Sequence, residues 1–273
     1  MTIEVIEGQD AIAVPIAAPR VIALIATIPA RKRSCERLLG EISKQSQKPD
    51  GVILVLDGYG DEPAPACSLP VIIEHRTAKA LGAGLRWRVG EGALGSDGKL
   101  SPDDILVCLD DDIMLFEAPH IIRALVKAVE AGGGAAAAMG RGTDDKFAAP
   151  GAYSRGDLIY AAGCGLTVRA KHLIGLPEFA AKIQADGGPD ALGLLGDDDA
   201  LVSAYLWKTG VKIRHAATGN IFAAPGMYAT SQTAAAAQAG KRENPDAQKL
   251  AIKKATGWPW VDNSVRLVGG AWR

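Results

Sequence analysis

The run from Ile105 to Leu109 is apolar and stops at three consecutive aspartates, Asp110, Asp111 and Asp112. Apolar runs of this length are typical of strands that are buried inside a sheet. In an open α/β sheet, ligands bind just outside the carboxyl ends of the strands. Three adjacent carboxylates repel one another, so the run predicts either a bound divalent cation or a solvated acidic turn that caps the next helix.

Similar apolar runs alternate with helical patterns along the chain. We expect strands at 21–27, 51–56, 71–73, 105–109 and 211–213, with an extended pair within 158–168. We expect helices at 31–44, 118–131, 198–207 and 245–255, and a helix with a loop entry at 77–93. The segment 141–156 is rich in Gly, Asp and Ser and predicts a mobile loop. This alternation predicts an α/β fold with a mostly parallel central sheet that is flanked by helices.

Composition and charge limit the class of protein. The chain has 273 residues and a net charge of −1, and this near-neutral balance argues against a nucleic-acid partner. The four cysteines are widely spaced, which is typical of reduced thiols in a cytoplasmic protein. The apolar stretch 11–30 is interrupted by Pro15, Pro19, Arg20 and Pro29, so we expect neither a transmembrane segment nor a secretory signal.

Acidic residues also stand at two other predicted element ends. Asp57 follows the second strand, and the triplet Asp197, Asp198 and Asp199 opens a helix. A helix dipole stabilises each such carboxylate by about 0.3–1 kcal/mol, so capping explains one or two acids more easily than three. Two separate acidic clusters predict a division of labour, in which one holds a metal and a diphosphate and the other is a general base. A two-metal site is the alternative.

Six segments have the order and spacing of one known enzyme family. They are residues 25–31, 45–49, 52–58, 109–112, 162–169 and 198–213. Together they resemble the family 2-type glycosyltransferases with the GT-A fold, whose acidic DxD element matches Leu109 to Asp112. The resemblance implies a single GT-A domain over 1–273. Its parts would be a nucleotide-binding half at 20–131, an acceptor-binding half at 132–215 and a tail with a helix at 216–273.

The resemblance implies a donor-binding role for several residues. Thr27, Pro29 and Arg31 would line the nucleotide pocket, and Asp57 would accept a hydrogen bond from the uracil N–H. Arg86 matches the position at which the family has a basic residue near the nucleotide. A solvated helix arginine is the alternative for Arg86.

The same resemblance implies a metal site. Asp110 and Asp112 would bracket the metal and the ribose, with Asp112 as the direct ligand and Asp111 behind them in the nucleotide site. His215 follows the last predicted strand, where some GT-A enzymes have a metal-binding histidine. A structural histidine is the alternative.

The implied activity is that of a metal-dependent glycosyltransferase of the hexosyltransferase type. With Mn²⁺ or Mg²⁺ it would move a sugar from a nucleotide diphospho-sugar, a UDP-sugar in the first instance, to an acceptor hydroxyl with inversion. Asp198 or Asp199 would be the base, and the spacing leaves the choice open. A non-catalytic GT-A-fold binding protein and a sugar-nucleotidyltransferase are the alternatives. The choice between inversion and retention, the sugar, the carbohydrate or other acceptor and the oligomeric state, a homo-oligomer included, stay open.

Overall fold

A computed structural model describes residues 18–89, 99–115, 118–142, 147–148, 157–161, 165–187, 198–218, 222–223, 247–259, 267–268 and 271–272. Its strands are β1 (Val21–Thr27), β2 (Gly51–Leu56), β3 (Val71–Arg76), β4 (Ile105–Cys108), β5 (Ile113–Met114), β6 (Gly134–Ala137), β7 (Gly140–Gly142), β8 (Phe147–Ala148), β9 (Asp157–Ala161), β10 (Leu166–Arg169), β11 (Lys212–His215), β12 (Phe222–Ala223), β13 (Leu267–Val268) and β14 (Ala271–Trp272). Its α-helices are α1 (Lys32–Ile42), α2 (Ile121–Ala128), α3 (Leu176–Gly187), α4 (Asp198–Lys208) and α5 (Ala247–Thr256). Short 3-10 turns occupy Pro29–Arg31, Ala83–Val89 and Ala170–Leu173, and a π turn occupies Val129–Gly133.

One mixed sheet organises the molecule. Its ten strands have the order β3-β2-β1-β4-β10-β6-β11-β9-β7-β8. The first four strands pair in parallel, and the pairings across the sheet point seven of the ten strands in one direction and β8, β9 and β10 in the other. The predicted α/β fold class, with a mostly parallel central sheet flanked by helices, is therefore confirmed.

Both faces of the sheet are covered, which explains the continuous apolar runs of the central strands. Side chains alternate along β1, so Ile22 and Leu24 pack with α3, α4 and α5 on one face. Ala23 and Ile25 pack with α1 and α2 on the other face. The acidic turn after β4 therefore lies at one end of a well-packed, three-layer core. No helix within the described ranges is long and apolar enough to cross a bilayer.

Several sequence predictions hold closely. β1 and β2 have the predicted bounds, and α4 begins at the predicted residue. The predicted extended pair occurs as β9 and β10, although these strands pair with β7, β11, β4 and β6 and not with each other. Three of the four cysteines lie in described residues, and all three are free thiols, as expected.

Two predictions of local structure are wrong. The segment 77–93 was expected to be a helix with a loop entry; its described part, 77–89, has the loop, but a 3-10 turn, Ala83–Val89, follows it in place of an α-helix. Gly82 has a φ of 126°, outside the helical region, so no helix can run through this residue. Part of the expected loop 141–156 is strand, in β7 and β8; residues 143–146 and 149–156 lie outside the described residues.

Candidate active site

The acidic turn lies at the carboxyl end of β4. Asp111 is buried at 3% exposure, whereas the side chains of Asp110 and Asp112 are 29% and 26% exposed. The next helix, α2, has His120 at its N-cap without a side-chain capping bond. The predicted alternative of a solvated acidic cap is therefore wrong, and the turn exposes two carboxylates above a buried one.

Arg86 joins this turn to the first residues of α4. Its Nη1 contacts Asp110 Oδ1 at 2.7 Å, and its Nε and Nη2 donate to Asp198 Oδ2 at 3.2 and 3.0 Å. Its Nη2 lies 3.7 Å from Asp199 Oδ1. The Arg86 side chain is 3% exposed, so the alternative of a solvated helix arginine is wrong. The two acidic clusters that the sequence separates therefore meet around one buried guanidinium.

The charge of Arg86 is secured by these contacts. Burial by itself would lower the pKa of Arg86, but neighbouring charges that include Asp198, Asp110 and Asp199 raise that pKa well above its ordinary value. A buried arginine with its carboxylates is stable only when the charges are paired and hydrogen-bonded. Arg86 is therefore a permanent cation between the two clusters.

Trp87 is a site residue that the sequence analysis missed. Its indole Nε1 donates to Asp198 Oδ2 at 3.0 Å, so three donors converge on this single oxygen. The guanidinium carbon of Arg86 also lies 5.7 Å from the centroid of the Trp87 ring. A lone tryptophan in a Gly-rich segment predicts only a core residue, and nothing in the spacing pairs it with α4.

Arg31 connects the turn after β1 to the same acidic turn. Its Nη1 contacts Asp111 Oδ1 at 2.9 Å and lies 3.4 Å from Asp112 Oδ2. Burial raises the pKa of Asp111, and the charge of Arg31 and the hydroxyl of Thr27 lower it less than burial raises it. Thr27 is the buried last residue of β1, and Pro29 opens the 3-10 turn that carries Arg31. The three residues predicted to line a nucleotide pocket thus surround the end of β1.

Asp57 organises the loop that leads to Arg86. Its Oδ1 accepts hydrogen bonds from the Thr77 hydroxyl at 3.0 Å and the Leu81 amide at 2.8 Å. Its Oδ2 accepts the Gly82 amide at 2.8 Å. Asp57 is 1% exposed, and these bonds account for three of the roughly four acceptor positions of a carboxylate. This role in the loop is additional to the predicted contact with a nucleobase.

His215 ends β11 and lies deeper in the protein. It is 2% exposed, and its Nε2 donates to the carbonyl oxygen of Ala138 at 3.1 Å. β11 is the third strand along from β4, which separates the two strand axes by about 14 Å at ~4.8 Å per strand. The structure therefore brings Asp110, Asp198 and Asp199 together and leaves His215 on a different strand of the same edge.

The acidic turn offers a metal ion two carboxylate ligands and not a complete set of protein ligands. Among the residues that the structure describes, no three His, Cys, Asp or Glu side chains are grouped so as to hold an ion. Asp110 and Asp112 do suit a Mg²⁺ or Mn²⁺ ion that takes one or two carboxylates and completes its shell with phosphates and water. Asp197 and residues 162–164, which the family resemblance includes, lie outside the described residues.

Comparison with known proteins gives matches to solved structures. One is 4-diphosphocytidyl-2C-methyl-D-erythritol synthase, at 14% identity and a TM-score of 0.45, over 79% of this chain and 97% of that one. A second is residues 1–349 of S. aureus TarS, at 12% identity and a TM-score of 0.48, over 86% and 70% of the two chains. A third is the mannosyltransferase PcManGT from Pyrobaculum calidifontis in complex with GDP-Man and Mn²⁺, at 17% identity and a TM-score of 0.49, over 88% and 72%.

All three matches are distant. With identities below 25% and TM-scores below 0.5, they carry no conclusion about the reaction, the donor or the metal of this chain. No protein-family model matches the chain, and no curated protein matches it either.

Proposed function

We propose that this chain is a metal-dependent glycosyltransferase that moves a sugar from a nucleotide diphospho-sugar, a UDP-sugar in the first instance, to an acceptor hydroxyl with inversion. The main support is the contact of one buried guanidinium, that of Arg86, with both Asp110 and Asp198. This contact brings Asp110, which we propose for the donor site, and the acids of α4 to the same edge of the sheet. A transfer reaction needs its metal-binding and proton-accepting groups within reach of one sugar carbon.

The charge balance supports a cation in the donor site. Five aspartates, at positions 110, 111, 112, 198 and 199, face the guanidinium groups of Arg31 and Arg86. Asp110 and Asp112 would hold Mn²⁺ or Mg²⁺ together with the diphosphate. When bound, such an ion neutralises the charge that develops on the departing nucleoside diphosphate. Because its Nε2–H is bonded to the carbonyl oxygen of Ala138, His215 could be a third ligand only through Nδ1.

The nucleotide would lie across the ends of β1 and β2. Thr27, Pro29 and Arg31 would line its pocket, and Asp111 would hold Arg31 in place from behind. Asp57 retains about one acceptor position beyond its bonds to the loop, which one uracil N–H can use. The proposal of uridine as the base depends on this remaining acceptor position and on the family resemblance.

We propose Asp199 as the general base and Asp198 as its anchor. Three N–H donors converge on Asp198 Oδ2, two of them from a charged guanidinium. Such bonds stabilise the charged carboxylate and occupy its Oδ2, which is unfavourable for a group that must take a proton. The side chain of Asp199 is 21% exposed and next to Asp198, so an acceptor can approach it from solvent.

Thermal unfolding with UDP, GDP and dTDP, each with and without Mn²⁺, tests the donor site. A nucleotide that binds the folded protein but not the unfolded chain raises the free energy of unfolding by about 2.7 kcal/mol at a concentration of 100 times its Kd. We expect UDP to raise Tm only when Mn²⁺ is present. We also expect that release of UDP from UDP-sugars, followed with an acceptor panel, will identify the transferred sugar.

The matched variants are Asp112→Ala and Asp103→Ala, which remove acids that follow and precede β4. Asp103 is exposed and paired with Lys171 at the opposite end of the strand. We expect the metal-linked shift to disappear in Asp112→Ala and to persist in Asp103→Ala. The proposed donor site would be contradicted if both variants lost the metal-linked shift in Tm equally. It would also be contradicted if the wild type showed no metal-linked shift with any nucleotide.

A further inference from the structure

Trp87 contacts the acids of α4 but belongs neither to the predicted site nor to the proposed reaction. It is 2% exposed and lies in the 3-10 turn directly after Arg86. An indole N–H is a donor only, and in a buried position it needs an acceptor. Asp198 Oδ2 is that acceptor, at 3.0 Å. The turn is thereby tied to the first residue of α4 through the single N–H of the indole ring.

Arg86 alone would not fix the direction of the Asp198 side chain. Its guanidinium is shared between Asp110 at 2.7 Å and Asp198 at 3.0 Å, and its Nη2 lies within 3.7 Å of Asp199 as well. Within this group of carboxylates, Arg86 donates to Asp110 and to Asp198 alike. Trp87 donates its single N–H to Asp198. This bond distinguishes Asp198 from its neighbour.

We propose that Trp87 is a positioning residue that, together with Arg86, holds Asp198 as the fixed anchor of α4 so that Asp199 is presented to the acceptor. Consecutive residues are about 100° apart around an α-helix, so fixing the direction of Asp198 also fixes that of Asp199. The other faces of this first turn are occupied by Ala200, Leu201 and Val202, which are fully buried. The role in presenting Asp199 rests on the proposed function; the anchoring of Asp198 does not.

The variant Trp87→Phe tests both parts, because it keeps an aromatic ring in the core and removes the N–H together with part of the ring volume, a loss that Trp258→Phe reproduces elsewhere in the core. A double-mutant cycle with Asp198→Asn, followed by urea unfolding, measures the anchor without reference to activity. We expect the two substitutions to be non-additive, with Trp87→Phe costing clearly less stability in the Asp198→Asn background than in the wild type. In steady-state transfer we expect Trp87→Phe to lower kcat by about tenfold or more, and to leave the donor KM unchanged within about twofold.

Trp258→Phe is the matched control. Trp258 is fully buried, and its Nε1 donates to the carbonyl oxygen of Ile159 at 3.0 Å, so the same substitution loses the same kind of bond elsewhere in the core. We expect this variant to lose stability, to be additive with Asp198→Asn and to keep the wild-type kcat. A purely structural role for Trp87 would give the same pattern as this control.

The outcomes separate the two proposals. Additive effects of Trp87→Phe and Asp198→Asn would overturn the anchor, whatever the reaction is. Non-additive effects on stability together with a wild-type kcat in Trp87→Phe would overturn only the positioning role. A wild-type protein that transfers no sugar from any nucleotide diphospho-sugar would overturn the proposed function and the positioning role with it, and the cycle would still decide the anchor.

Discussion

Arg86 contacts Asp110 at 2.7 Å from a site that is nearly closed to solvent. The same guanidinium contacts Asp198, whose side chain is 13% exposed. A buried ion pair adds little net stability over an apolar replacement of both partners, but removing one partner leaves a buried charge without compensation. The site therefore depends on Arg86 more strongly than an exposed arginine network would.

We expect Arg86→Met to lower the free energy of unfolding by about 3–5 kcal/mol, because Asp110 and Asp198 then share a site without their cation. Arg86→Lys should recover only part of this loss, since one ammonium group cannot replace the planar fork that reaches both carboxylates. Urea unfolding measures the change. Arg88→Met, at an exposed position of the same 3-10 turn, is the control and should stay close to wild type. Similar losses in the two methionine variants would contradict the bridging role.

Asp57 holds the preceding loop, and its loss should be visible in that loop. In Asp57→Asn one side-chain acceptor becomes an NH₂ group that faces N–H or O–H donors, so the amides of Leu81 and Gly82 cannot both stay bonded. We expect faster hydrogen exchange over 77–89 by mass spectrometry, with the rest of β2 unaffected. Asp61→Asn removes an exposed acid nearby and should leave that exchange unchanged. Equal exchange in wild type and Asp57→Asn would contradict the role of Asp57 in the loop.

Two glycines after β2 separate the cost of backbone conformation from the cost of a clash. Gly58 and Gly60 have φ values of 75° and 51°, where a residue with a Cβ loses about 1–2 kcal/mol. A Cβ on Gly58 would lie 2.9 Å from the backbone nitrogen of Ala80, whereas one on Gly60 would meet nothing within 4 Å. We expect Gly60→Ala to lose about 1–2 kcal/mol in urea unfolding and Gly58→Ala to lose clearly more. Equal losses would show that the loop at Ala80 moves aside freely.

The fold was largely predictable because its signals are local. The continuous apolar runs of β1 and β2 follow from burial on both faces, and each strand has the predicted bounds. The helix expected at 77–93 was wrong because the structure of this segment is set by a distant side chain, that of Asp57, and by the left-handed backbone of Gly82. The local spacing of apolar residues gives no information on a distant carboxylate or on the backbone conformation of one glycine.

The residues of the proposed site were identified from the sequence, but their contacts with one another were not. Asp110, Arg86 and Asp198 were each identified from spacing or resemblance, but no pattern pairs an arginine with acids from two distant segments. One general rule could have indicated the contact of an arginine with these acids, since buried carboxylates need a buried cation nearby. No such rule indicated a partner for the indole of Trp87, because the ring meets Asp198 only when α4 packs against the 3-10 turn.

His172 should make stability depend on pH below neutrality. Burial, followed by the charges of Lys171 and Arg169, lowers the pKa of His172 below its ordinary value of 6.5, and Asp103 opposes this. Because the unfolded chain then binds the proton more readily, the contribution of neutral His172 to stability is present above pH 6.5 and is lost as pH falls through the folded pKa. We expect the unfolding free energy to fall less between pH 7.5 and pH 5 in His172→Gln than in wild type. His75→Gln, on the exposed end of β3, should follow the wild-type curve. Parallel curves for all three proteins would contradict this linkage.

Asp198 and Asp199 are adjacent, yet their isosteric variants should fail in opposite ways. Asp199→Asn should lower kcat by about 10²–10⁴-fold, the usual contribution of a general base, and keep the UDP-linked rise in Tm and the unfolding free energy near wild type. Asp198→Asn should lose about 1–3 kcal/mol of unfolding free energy, because its Oδ2 accepts three donors that an amide satisfies less well. Transfer kinetics and urea unfolding on the same preparations measure both quantities. An Asp199→Asn variant that keeps its turnover, beside a stable but inactive Asp198→Asn, would reverse the assignment of base and anchor.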